Sequence, residues 1–164
     1  MIRRAVQILP ALLFVACVFS GGCGYTIGST WPDARTIEVP IFRRAIVSGR
    51  SSEFELTKAV QDEITSRDNI KIVRRGGELR LEGEITTDEE RVVTPATIAG
   101  GLEERVLTIT VNLVLIDKRN NTQVQRTVSE DEPFSFIRGE NEASAREKAI
   151  REIARKIYFQ FEEW

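Results

Sequence analysis

Apolar and polar positions take turns along most of this chain, and the period of that alternation changes from segment to segment. In Thr36–Phe42 the alternation has a period of two, placing Ile37, Val39 and Ile41 on one face, which predicts a strand. Pro40 lacks an N–H and directs that strand to an edge or an end. From Arg43 to Ser51 the pattern lapses into a loop. Leu56, Ala59, Val60 and Ile64 then recur at helical spacing, and Ser52-Glu53-Phe54-Glu55 ahead of them reads as a capping box, predicting a helix over about 53–66. Ile70–Val73 is a second short strand, and strand-helix-strand suggests a crossover onto one sheet. After the turn at Gly76-Gly77, Leu79, Leu81, Gly83 and Ile85 alternate with Arg80, Glu82, Glu84 and Thr86. The strongest strand is Ile109–Asp117, and Leu107, Ile109, Val111, Leu113 and Leu115 make one wholly apolar face. A turn at Asp117–Asn121 sends Thr122–Ser129 back as a polar strand; Glu130–Pro133 reads as an interruption, and Phe134–Ile137 as a short apolar run.

The last segment is a long amphipathic helix. Asn141 is its N-cap, and Ala149, Ile150, Ile153, Ala154, Ile157, Tyr158 and Phe161 form one stripe. Its other face pairs Glu142 with Arg146, Glu147 with Arg151 and Glu152 with Lys156. Such a stripe must be buried, and the apolar face of the long strand is the surface available for it. The expected fold is α+β, with two helices packed on one face of a four- to five-stranded mixed sheet.

The first residues obey a different grammar. Arg3 and Arg4 form a basic head, Ala5–Phe19 is an apolar run broken only by Gln7 and Pro10, and the small residues Ser20, Gly21 and Gly22 precede Cys23. These are the parts of a cleaved secretory signal, and the apolar run is shorter than the roughly 20 residues of a membrane span. A cysteine directly after the small residues makes it a lipoprotein signal. The thiol of Cys23 would carry a diacylglyceryl group and become the first mature residue, with several acyl chains securing the anchor. An ordinary cleaved signal or a buried free cysteine is the alternative, and Phe14-Val15-Ala16-Cys17 is a competing box with a shorter apolar core. Ser20 also stands where such boxes usually have Leu. The expected organisation is a signal peptide at 1–22, a lipidated linker at 23–35 and one domain at 36–164.

Composition narrows the chemistry. The mature side chains would number 21 basic, since Arg3 and Arg4 leave with the signal, against 25 acidic, a net charge of −4. That balance does not suit a nucleic-acid binder. The chain has no histidine, which removes the commonest general base, metal ligand and pH switch together. With Cys17 discarded and Cys23 acylated, no disulfide forms in the exported domain. Asp88-Glu89-Glu90 and Glu130-Asp131-Glu132 read as solvated charge at strand ends, without the spacing or third partner of a cation site. Gly76-Gly77 and Gly100-Gly101 fit turns and no phosphate loop. No catalytic residue, metal site or cofactor beyond the lipid on Cys23 is expected, and the protein is read as a non-enzyme.

Taken together, Cys23-Gly24-Tyr25, the Ile37–Pro40 strand, the helix from Glu53, Leu79–Ile85, the long strand Leu107–Ile116 and the Ala/Ile-spaced last helix resemble the LPS-assembly lipoprotein family, LptE. The resemblance covers essentially all of the mature chain, through element order more than through single side chains. It implies a lipoprotein of the outer membrane, on its periplasmic side, that plugs and helps assemble a large β-barrel of the LptD type and contacts lipopolysaccharide. The family's lipopolysaccharide contacts are basic residues near strand ends. Here Val93–Leu102 carries none, so the candidates are Lys118, Arg119 and Arg138, whose alternative role is that of solvated turn and loop charge. Without histidine, anion recognition by these cations would be sensitive to salt and nearly independent of pH between about 5.5 and 8. Val93–Leu102 is longer than the 2–5 residues or so of a tight hairpin and has no charge. Val93, Ile98 and Leu102 could serve insertion into a partner, or Ile98 could fold back over the domain's own core. A second class of function is a lipoprotein adaptor of another envelope machine, such as a peptidoglycan-synthase activator or a secretin pilot; fold alone does not separate the two.

Overall fold

The computed structural model describes residues 34–45, 52–94 and 103–160. The expected signal peptide, Cys17, Cys23 and the lead-in up to Asp33, together with Ile98, Leu102 and Phe161, lie outside the described residues. The strands are β1 (Thr36–Glu38), β2 (Arg43–Arg44), β3 (Lys71–Val73), β4 (Leu79–Thr94), β5 (Glu104–Asp117) and β6 (Thr122–Phe134). The helices are α1 (Glu53–Arg67) and α2 (Glu142–Gln160), with a 3-10 turn at Phe136–Arg138. The sheet has six strands in the order β3-β1-β4-β5-β6, with β2 paired to β4 beyond the end of β1. The three long strands are antiparallel neighbours, whereas β1, β2 and β3 add in parallel. This is the expected α+β mixed sheet, with the two-residue β2 as its additional strand.

Odd-numbered residues of β5 point inward, so Leu107, Ile109, Val111, Leu113 and Leu115 are all buried. The alanines and isoleucines of α2 lie over β5 and β6, and Leu56, Val60 and Ile64 of α1 pack beside them, all in one core with Ile37, Leu79, Leu81 and Ile85. Each buried leucine, isoleucine or valine contributes on the order of 1.5–3 kcal/mol, and the small alanines let α2 approach the sheet closely. The helices run parallel: Arg146 of α2 meets Ser52 at the start of α1, and Tyr158 donates to Asp68 at its end, 3.1 Å away. Asn141 caps α2 as the sequence predicts, its Oδ1 accepting from the Ser144 N–H at 2.9 Å.

Several readings are corrected. The first strand stops at Glu38. The Phe42 N–H donates to Thr57 Oγ1 and the Gln61 amide donates to the Val39 carbonyl, so α1 holds this segment off the period of two. Phe42 is therefore buried and Ile41 is 54 % exposed. Gly83 makes the space for Phe42: a Cβ there would lie 2.5 Å from the ring. Arg43 and Arg44 form β2 instead of loop. Ser52 makes no side-chain cap bond, because its hydroxyl donates to Asp88.

Neither acidic run is a solvated loop. β4 continues through Asp88–Glu90, and a register shift between Ile85 and Thr87 turns Asp88 inward opposite Ile109. β6 likewise continues through Glu130–Pro133, where an edge strand tolerates a proline. Lys156 pairs with Glu130, and Lys148 with Glu132 at 3.4 Å. The expected Glu152–Lys156 pair is thus replaced, Glu152 taking Arg155 at 2.6 Å, while Glu142–Arg146 and Glu147–Arg151 form as expected.

Candidate functional site

The long hairpins give the domain two chemically different ends. At about 3.3 Å per residue, the 14 residues of β5 hold them roughly 46 Å apart.

One end is basic. It gathers the β5–β6 turn, the start of β4, the β3–β4 connection and the chain entering β1. Gly77 lets that connection press onto β1, since a Cβ there would meet the Glu38 nitrogen at 2.7 Å. The Glu38 carboxylate accepts from Arg80 at 2.7 Å, Lys118 at 3.1 Å and the Gly76 N–H at 3.2 Å. The Lys118 bond holds its carboxyl below the usual range, against burial and with help from Arg80. Next to it, Asp117 accepts from the Arg119 backbone N–H at 2.9 Å and from its guanidinium at 3.1 and 2.8 Å. The Arg119 guanidinium, opposed by burial, keeps the Asp117 carboxyl low.

The other end is apolar at its tip. Val92, Val93, Phe136 and Ile137 are 49, 54, 53 and 58 % exposed. Arg105 lies 5.0 Å from the centre of the Phe136 ring and pairs with Glu90 and Glu103. Arg138 pairs with Glu140 at 2.9 Å and Glu104 at 3.4 Å. The Ser135 N–H, and then Arg138, lower the Glu140 carboxyl.

The sequence candidates are therefore not one site. Lys118 and Arg119 stand at the basic end and Arg138 at the apolar end, each already holding a carboxylate. Val93 is exposed at the apolar tip; its two companions lie outside the described residues. Sequence reasoning missed Phe136 and Ile137 as surface groups and Arg35, Lys71, Arg74 and Arg75 as neighbours of Lys118. The adjacent Arg74-Arg75 before two glycines was the one legible signal.

Between the ends, Asp88 accepts from Arg146 at 2.6 Å and from Ser52 at 2.8 Å, and Ser52 also accepts from Arg146 at 2.9 Å. Ser52 and Asp88 are almost fully buried. A hydroxyl donating to an arginine-bound carboxylate is not an activated nucleophile, so this triad ties β4, α1 and α2 together. Among the described residues, no cluster of three or more His, Cys, Asp or Glu could hold a metal ion.

Two parallel helices on one face of a sheet with long hairpins make an α+β arrangement that solved bacterial lipoproteins share. The chain is similar to a minor lipoprotein from Acinetobacter baumannii, at 13 % identity and a TM-score of 0.53, over 79 % of this chain and 93 % of that one. It is similar to lipoprotein B from Nitrosomonas europaea, at 13 % identity and a TM-score of 0.54, over 85 and 89 %. At these identities the likeness concerns the fold. Residues 34–161 match the family LptE, described as Lipopolysaccharide-assembly, and the chain belongs to that family. Its members are non-enzymatic lipoproteins of Gram-negative envelopes that act in lipopolysaccharide assembly and transport. No curated protein sequence matches the chain.

Proposed function

We propose that this protein is an outer-membrane lipoprotein, anchored on the periplasmic side through acyl chains on Cys23, that plugs and helps assemble an LptD-like β-barrel delivering lipopolysaccharide. The family match over residues 34–161 carries the reading, because it spans essentially the whole described fold. In this reading residues 1–22 are removed, 23–35 tether the domain, and the apolar tip enters the barrel through Val93 and its loop partners Ile98 and Leu102. The exposed Val92, Val93, Phe136 and Ile137 support that tip as a contact surface. Lipopolysaccharide phosphates would meet Arg138 at the tip or Lys118 and Arg119 at the basic end, two separate places.

Affinity purification from detergent-solubilised outer membranes tests the assignment. A very large β-barrel as main partner is expected; a peptidoglycan synthase or a ring-forming channel overturns it. Fatty-acid labelling tests the anchor: wild type takes label and Cys23→Ala does not, whereas label lost only in Cys17→Ala moves the site. For the loop, Ile98→Asp should leave the melting temperature unchanged and cut barrel recovery sharply. A lower melting temperature with unchanged recovery per folded molecule makes Ile98 a core residue.

A further inference from the structure

Most cations of this domain are paired, yet Arg35, Lys71, Arg74 and Arg75 are exposed and have no carboxylate partner among the described residues. They are neighbours despite their spread along the sequence. The Lys71 N–H donates to the Arg35 carbonyl at 2.9 Å, and the Arg35 N–H donates to the Glu78 carboxylate at 2.7 Å. The Lys118 N–H donates to the Glu78 carbonyl at 2.9 Å, and Gly76, next to Arg75, donates to Glu38. The carboxylates at this corner are already engaged: Glu38 by Arg80 and Lys118, Asp117 by Arg119, and Glu78 by a backbone N–H. What remains outward is an excess of positive charge, four exposed cations against the one carboxylate charge of Glu78, on a chain whose net charge is −2.

The patch sits where the chain enters the fold. Arg35 is twelve residues after Cys23, a tether of about 40 Å at full extension. A lipid on Cys23 would hold this corner, before any other part of the domain, within reach of the leaflet carrying the acyl chains. We propose that Arg35, Lys71, Arg74 and Arg75 form a docking surface for the anionic phospholipid headgroups of that leaflet. The surface gives the anchor a second, electrostatic signal and turns the basic corner toward the membrane. It rests on the lipid-anchor part of the proposed function and not on the barrel. Each cation at an anionic surface strengthens binding about fivefold, so four give a factor of several hundred at low salt.

The test uses the mature chain, residues 23–164, carrying Cys23→Ser, so that neither an acyl chain nor the signal segment contributes, in flotation with phosphatidylcholine vesicles with and without phosphatidylglycerol. Binding should require phosphatidylglycerol, weaken with salt, and fall several hundredfold when all four cations are replaced by glutamine. Should the fourfold variant not fold, Arg74→Gln/Arg75→Gln should lose about 25-fold. Equal binding of variant and parent overturns the proposal. So does parent binding indifferent to phosphatidylglycerol, or binding to lipopolysaccharide micelles without binding to the anionic vesicles. Failure of the anchor is read separately, as absence of fatty-acid label from the wild-type chain.

Discussion

Replacing Arg146 with methionine strands a buried charge, and the size of the loss follows from the geometry. The Asp88 side chain is 1 % exposed and receives its shortest bond, 2.6 Å, from Arg146. At an effective dielectric constant near 20, two charges about 3 Å apart attract by about 5 kcal/mol, most of which offsets desolvation while both are present. Removing one partner leaves that desolvation uncompensated and costs about 3–5 kcal/mol, a large share of the 5–15 kcal/mol or so that holds a domain folded. Asp88→Leu/Arg146→Met removes both charges and should come within about 1–2 kcal/mol of wild type. Ser52 gives a third reading. Its hydroxyl bonds to Asp88 and does not cap α1, so Ser52→Ala should cost about 1.5–3 kcal/mol in wild type and close to nothing in the double variant. A cap would cost about 1 kcal/mol in both backgrounds. Urea unfolding followed by far-ultraviolet circular dichroism supplies the free energies. Additive costs for Asp88 and Arg146, or a Ser52→Ala cost equal in both backgrounds, refute the reasoning.

Gly83→Ala should drive a methyl into the Phe42 ring and cost about 1–3 kcal/mol, read as a melting temperature several degrees lower; in a Phe42→Leu background the added cost should largely vanish. Glu38 has a lowered folded-state pKa, so its contribution is complete above the ordinary value of 4.5 and is lost as pH falls through the lowered one. Lys118→Met should therefore be less stable than wild type at pH 7, with the gap closing below about pH 4.5; a gap constant down to pH 2 contradicts this. Asn141→Ala should cost about 1 kcal/mol through loss of its bond to the Ser144 N–H, and no change in the urea midpoint would contradict that.

The elements that bury a continuous face were legible. β5 and α2 keep one period throughout, so Leu107–Leu115 and Ala149–Tyr158 indicated both the strand and the helix lying on it. Legibility failed where the period slips. Asp88 follows a register shift, so it stands where alternation from Leu79 predicts an outward side chain. Ile41 and Phe42 exchange places because Thr57 and Gln61 of α1 reset the backbone, contacts no local pattern announces. Glu130–Glu132 looks like loop when counted as charge and becomes strand once Lys148 and Lys156 of α2 stand over it. Beyond the adjacent Arg74-Arg75, the basic corner was hidden for a related reason. Arg35, Lys71 and Lys118 come together only once β3, β1, β4 and β5 are laid in order across the sheet.

The central claim is that the apolar tip meets a barrel. A photo-reactive amino acid at Val93, activated in growing cells, tests it most directly. An adduct with a large outer-membrane β-barrel is expected. An adduct at Val93 with a peptidoglycan synthase or a ring-forming channel subunit, or none from Val93 and Phe136 alike, contradicts it.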